Sequence, residues 1–163
     1  MAVKQKIVAM RKWFDLAAVV LAVVAIIMMF VPAIAFKDHP DNTYKGLQII
    51  FGYNESLPGG YSMEVFKFSF MNLLTYILFL AGVVVLVLNM FGKSGKFGSF
   101  IALGCFVVAA VFSFCALGFI VPASDLVKEV IEEGELVLAA GPIVAGIMGI
   151  LSSGICAVKI FVK

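Results

Sequence analysis

The chain has 163 residues, of which 63% are apolar and only 13% charged, with a mean hydropathy of +1.14 and a net charge of +2. A soluble domain of this length carries about 45–50% apolar and roughly 25% charged residues, so too little polar surface is present to clothe a water-soluble globule. Sixteen Phe and long aliphatic runs are equally foreign to a disordered chain. The composition is that of an integral membrane protein.

Four stretches lack any charged residue: Leu16–Phe36, Phe68–Phe91, Phe97–Ser124 and Leu136–Val158. Each is long enough to cross a bilayer, which takes about 20 apolar residues at 1.5 Å rise apiece. In lipid every backbone N–H and C=O must be satisfied within the segment or a closed barrel, and these runs do not alternate as barrel strands do. The fold class is therefore an all-α membrane protein, one transmembrane domain over residues 1–163. It is a four-helix bundle with spans at about 16–36, 68–91, 97–122 and 136–158.

The chain opens on Lys4, Lys6, Arg11 and Lys12 ahead of the first span. Ala33-Ile34-Ala35 fits a small-residue cleavage pattern, but the apolar run is longer than a signal peptide's, and it reads as a retained span. With the N-terminus inside, the inner side holds eight basic residues and one acid, Asp15, and the outer side four basic residues and nine acids. That is +7 against −5, and it sets both termini in the cytoplasm of a multi-pass protein of the cell membrane. The basic start reads as orientation plus attraction to anionic lipid rather than as a nucleic-acid patch.

Residues 37–67 form the one sizeable outer loop. Two runs rich in aromatic and β-branched residues, Tyr44–Tyr53 and Tyr61–Phe66, flank the Pro58-Gly59-Gly60 turn cluster and predict a β-hairpin lying on the bundle's end. Ile49, Phe51 and Tyr53 would share one face, and Tyr44, Phe51, Tyr53 and Tyr61 make a candidate outer interaction surface. Asn54-Glu55-Ser56 is a formal glycosylation sequon. The inner turn Gly92-Lys93-Ser94-Gly95-Lys96 forces spans two and three to be antiparallel, and its Gly-Lys-Ser lacks the G-x-x-x-x-G-K-[ST] spacing of a phosphate-binding loop. Between spans three and four, Ser124 is a fitting N-cap and Gly134 a natural stop for a short amphipathic helix bearing Leu126, Val127, Val130 and Ile131 on one face.

No Asp, Glu, Lys, Arg or His falls within the four charge-free runs, so proton relays, ion coupling and voltage sensing have no carrier there. His39, with Asp38 and Asp41, belongs to the outer loop, and Cys105, Cys115 and Cys156 form no C-x-x-C pair. No catalytic, cofactor-binding or metal-ligating set is read, and the chain is not expected to be an enzyme. Ser69, Asn72, Thr75, Tyr76, Asn89, Ser113, Ser152 and Ser153 are mild polar groups suited to hydrogen bonds between helices.

The sharpest pattern is Gly141, Ala145, Gly149, Ser153 and Ala157, small residues every fourth position along span four. Such a ladder lets backbones approach closely in lipid, either against span three (Gly98, Ala102, Cys105, Ala109, Ser113) or against another subunit. Expected partners are thus the lipid bilayer and a membrane protein or a further copy of the chain, with no nucleic acid. The layout resembles claudin-type tetraspans in topology, with Gly46-Leu47 the one echo of their first-loop signature. It is also similar in style to small four-span bacterial membrane proteins of unassigned function. Together these features predict a structural or accessory membrane protein, with a small channel or transporter for a neutral or apolar solute as the alternative.

Overall fold

A computed structural model describes residues 2–57, 60–92 and 95–161. Met1, Pro58, Gly59, Lys93, Ser94, Val162 and Lys163 lie outside the described residues. Four long helices, α1 (Ala2–Ile27), α3 (Phe70–Met90), α4 (Gly95–Phe114) and α6 (Ala140–Phe161), form the bundle. All four are long and apolar enough to cross a membrane, the hallmark of a multi-pass membrane protein. They sit as a ring in which α1 neighbours α3 and α6, and α4 neighbours the same two helices.

Small residues set the spacing inside this ring. Ala18, Ala22 and Ala25 of α1, Ala102 and Ala109 of α4 and Ala145 of α6 are fully buried. The larger volume is filled by Phe79 and Leu86 of α3 and Phe106 of α4, also fully buried. Aliphatic side chains such as Val20, Leu80, Val111 and Ile150 are exposed on the outer faces of the helices. A water-soluble bundle would place polar residues there.

The helix ends away from the chain termini depart from the all-helical expectation for the spans. The helix of the first span ends at Ile27, and after a 3-10 turn (Met28–Phe30) the chain runs as strand β1 (Pro32–Phe36). Pro32 explains the stop, since it lacks an N–H and pushes the residue before it into extended geometry; Val31 has ψ 157°. The first segment long and apolar enough to cross a membrane therefore runs Met10–Phe30 rather than 16–36. The start of the fourth span, Leu136–Leu138, is likewise a strand, β6, and the third span ends at Phe114, with Val121–Pro122 forming β5.

These strands extend the helix pairs. β1 and β6 pair antiparallel directly beyond α1 and α6, with β2 (Thr43–Lys45) on the other edge of β1. β4 (Tyr61–Lys67) pairs with β5 beyond α3 and α4, and with β3 (Tyr53–Leu57) in a hairpin. The expected hairpin thus exists, but its first arm begins at Tyr53, because Gly46–Phe51 is a short helix, α2. Ile49 and Ile50 are both buried, which a strand with one wet face cannot arrange for adjacent residues. The side chain of Gln48 accepts from the Lys45 N–H at 2.7 Å and closes the first turn of α2. The predicted amphipathic helix is α5 (Asp125–Glu132), where Ser124 Oγ accepts from the Val127 N–H and Gly134 adopts φ +72° just beyond. A second core of Ile34, Ile49, Val65, Phe66, Ile120 and Leu136 joins both sheets, with Val127, Val130 and Ile131 of α5 packed on it.

Candidate functional surfaces

The small-residue face of α6 is the first surface to place. Gly141, Ala145 and Gly149 are buried, whereas Ser153 and Ala157 are half-buried. Beyond Gly149 the buried positions become Ser152, Cys156 and Lys159. The reason is the helical period: a step of four residues overshoots a 3.6-residue turn by about 40°, so a four-step ladder rotates off its own face. Contacts at this face come from the same chain. A Cβ added at Gly149 would lie 2.9 Å from Ala110 Cβ of α4 and 3.0 Å from the Phe79 ring of α3. One added at Gly141 would meet the Pro32 carbonyl oxygen at 2.8 Å. Gly146, outside the ladder, faces the Phe114 ring, where a Cβ would sit at 2.5 Å.

Towards the end of the bundle where α1 begins and α6 ends, the structure shows what the charge-free runs concealed. Lys159 Nζ of α6 donates to both carboxylate oxygens of Asp15 of α1 at 2.5 Å, with the two side chains only 7% and 4% exposed. Both residues lie within the helices that form the bundle, each one position outside a charge-free run, 16–36 and 136–158. A charge-free run ends at the nearest charge, whereas α1 and α6 continue past Asp15 and Lys159. The spacing carried a signal: Asp15 stands on the face of Ala18, Ala22 and Ala25, and Lys159 on that of Ser152 and Cys156. Two charges at the ends of two apolar stripes on adjacent helices are placed to pair. Ser152 Oγ, one to two turns along the same seam, donates to the Ala18 carbonyl at 3.2 Å.

Other polar groups fasten neighbouring segments. Asn72 Nδ2 donates to the Ala116 carbonyl at 3.3 Å and Ser69 Oγ to the Phe119 carbonyl at 2.5 Å, both from α3 to the turn after α4. Asn89 Nδ2 donates to Ser99 Oγ at 3.1 Å, from the end of α3 to the start of α4. Thr75, Ser113 and Ser153 bond back within their own helices. Cys105, Cys115 and Cys156 are free thiols. Among the described residues, no three His, Cys, Asp or Glu side chains gather into a metal-sized cluster.

The four outer aromatic residues do not form one patch. Tyr44 sits edge-on to Phe66 with centroids 4.9 Å apart and to Tyr53 at 5.6 Å, so Tyr44 and Tyr53 are half-buried parts of the outer core. Phe51 lies against Phe68 at 6.4 Å, beside the start of α3. Tyr61 is 75% exposed near the hairpin tip, opposite Leu57 in the ladder. Around Tyr44 lies a polar cavity of about 410 Å³ bordered by Asp41, Thr43, Gln48 and Glu55. The Tyr44 hydroxyl faces Glu55 Oε2 at 3.5 Å, and burial, reinforced by the Glu55 charge, pushes its pKa above the ordinary tyrosine value.

Comparison of the chain with protein-family models, curated proteins and solved structures finds no match.

Proposed function

We propose that this chain is an integral protein of the cell membrane that spans it four times, keeps both termini in the cytoplasm, and serves as a structural or accessory component rather than a catalyst. Its contacts run through helix faces and the outer sheets, to a membrane-protein partner or to further copies of itself. The observation that carries this reading is how the bundle's interior is filled. Phe79 and Phe106, fully buried with centroids 6.4 Å apart, occupy the middle of the ring, and alanine stripes close the rest. A solute path through one copy would need a polar or open lane there. The mass of non-helical structure is instead concentrated on the face away from the termini, as a folded cap with Tyr61 and the hairpin exposed. Exposed loops on a rigid scaffold are where recognition is usually carried.

Mild crosslinking in native membranes, followed by affinity purification and mass spectrometry, tests this. A partner recovered at fixed stoichiometry, and lost when Tyr61→Ala and Met63→Ala alter the hairpin, is the expected result. Recovery of the bare chain together with solute flux in liposomes would overturn it.

A further inference from the structure

A cavity of about 210 Å³ opens at the end of the bundle that carries the termini, bordered by Arg11 and Lys12 of α1, Asn89 of α3 and Lys96 of α4, with the Asp15–Lys159 pair alongside. That volume is several times the ~30 Å³ share of one water. Its charge is one-sided. Lys159 is committed to Asp15, while Arg11, Lys12 and Lys96 enter no ion pair among the described residues.

A second depression adjoins the cavity on the outer, apolar side of the bundle. It is lined by Lys12, Trp13, Leu16 and Met90, so that Lys12 and Met90 border both. Apart from Lys12 its walls are hydrocarbon and indole, and Trp13 is 68% exposed there. A cationic cavity bordered by Arg11, Lys12 and Lys96, joined to an apolar groove along a helix, has the form of a phosphate ester linked to an acyl chain. Basic pockets between membrane helices are suited to anionic head groups, and each nearby cation adds attraction.

We propose that this paired cavity and groove is a binding site for one anionic phospholipid. The phosphate occupies the space between Arg11, Lys12 and Lys96, and an acyl chain lies along Trp13, Leu16 and Met90. The proposal rests on the membrane-spanning reading above. The ligand chemistry needed at the cations is a phosphate anion; the groove selects the lipid as its source.

Trp13 is the sole tryptophan, so it reports on its own groove. The purified full-length chain is placed in phosphatidylcholine vesicles containing a small fraction of brominated phosphatidylglycerol or, separately, brominated phosphatidylcholine, and Trp13 quenching is followed against mole fraction. The expected result is saturable quenching by the anionic lipid, with a roughly tenfold apparent preference over the zwitterionic one. Lys96→Gln, at an exposed position, and Arg11→Gln should each abolish that preference while thermal stability is retained. One charge among the eight basic residues of that side hardly changes the general surface potential, so loss on a single substitution identifies a site rather than diffuse attraction. Equal quenching by both lipids, or an anionic effect that rises in proportion to mole fraction and ignores Lys96→Gln, overturns the site but leaves the spanning reading intact. No quenching by either lipid overturns both. Relief of the anionic quenching by millimolar inorganic phosphate would assign the cavity to the free anion and overturn the lipid assignment.

Discussion

Asp15 and Lys159 each place a charge where water is nearly excluded, and each is tolerated because the other is there. Removing one partner strands the other. Asp15→Asn or Lys159→Met alone is therefore expected to destabilise the bundle by about 3–5 kcal/mol, seen as a large drop of the thermal midpoint in detergent micelles. The double variant Asp15→Leu/Lys159→Met should recover most of the loss, and double-variant stability no better than the worse single would contradict the pairing account. Tyr44 gives a second test at this scale. Its folded-state pKa lies above the unfolded value, so its contribution to stability is fully present below pH ~10 and is lost as pH rises through the folded value. The outer cap should loosen at strongly alkaline pH, monitored by near-ultraviolet circular dichroism, and Tyr44→Phe should shift that loss upward. At this scale the sequence was partly legible. The capping role of Ser124 and the stop at Gly134 follow from residue chemistry alone, whereas pairing of Asp15 with Lys159, 144 positions apart, needed the stripes on two helices to be read together.

Helices α3, α4 and α6 meet through aromatic rings seated on glycines: Phe106 on Gly82, Phe79 on Gly149 and Phe114 on Gly146. Because interiors are close-packed, atoms added at such points must displace a ring or a backbone. Gly149→Leu should destabilise the fold strongly, and unchanged detergent stability together with unchanged oligomer size would refute the role given to that face. Gly82→Ala should cost about 1–3 kcal/mol, since its Cβ would sit 2.4 Å from the Phe106 ring. Gly141→Ala probes a different neighbour, the backbone oxygen of Pro32, which has no rotamer through which to yield. The existence of four long helices was legible because a run of 20 or more apolar residues has few other uses. Their outer boundaries were not. Pro32–Phe36 and Leu136–Leu138 are as apolar as the helices they adjoin, and β1, buried through Ala33, Ile34 and Ala35, carries no alternation to distinguish it. Pro32 and Pro122 were the local signs available. The short helix α2 was hidden for a related reason: Ile49, Phe51 and Tyr53 satisfy a two-residue period, while the burial of Ile50 beside Ile49 is a tertiary fact.

Across the molecule, the two antiparallel helix pairs α1–α6 and α3–α4 continue upward as the strand pairs β1–β6 and β4–β5, and a single apolar core knits both sheets to α5. The cap is thereby built on the bundle, with strands following directly from helix ends, and nothing of it is large enough to be a separate domain. This continuity explains why the loop could be recognised as the outer feature from charge and turn residues, while its pairing with the ends of the first, third and fourth spans could not. It also puts the termini, the Asp15–Lys159 pair and the basic cavity at one end, and the sheets, Tyr61 and α5 at the other. The central claim is that a bilayer lies between these two ends, with the termini in the cytoplasm. Single cysteines at Lys12, Lys96, Tyr61 and Glu129, introduced into a chain with Cys105, Cys115 and Cys156 replaced by Ala, test it through labelling with a membrane-impermeant maleimide. The account predicts that Tyr61→Cys and Glu129→Cys label in intact cells and Lys12→Cys and Lys96→Cys label only after permeabilisation. Labelling of all four from outside, or the reverse pattern, would contradict it.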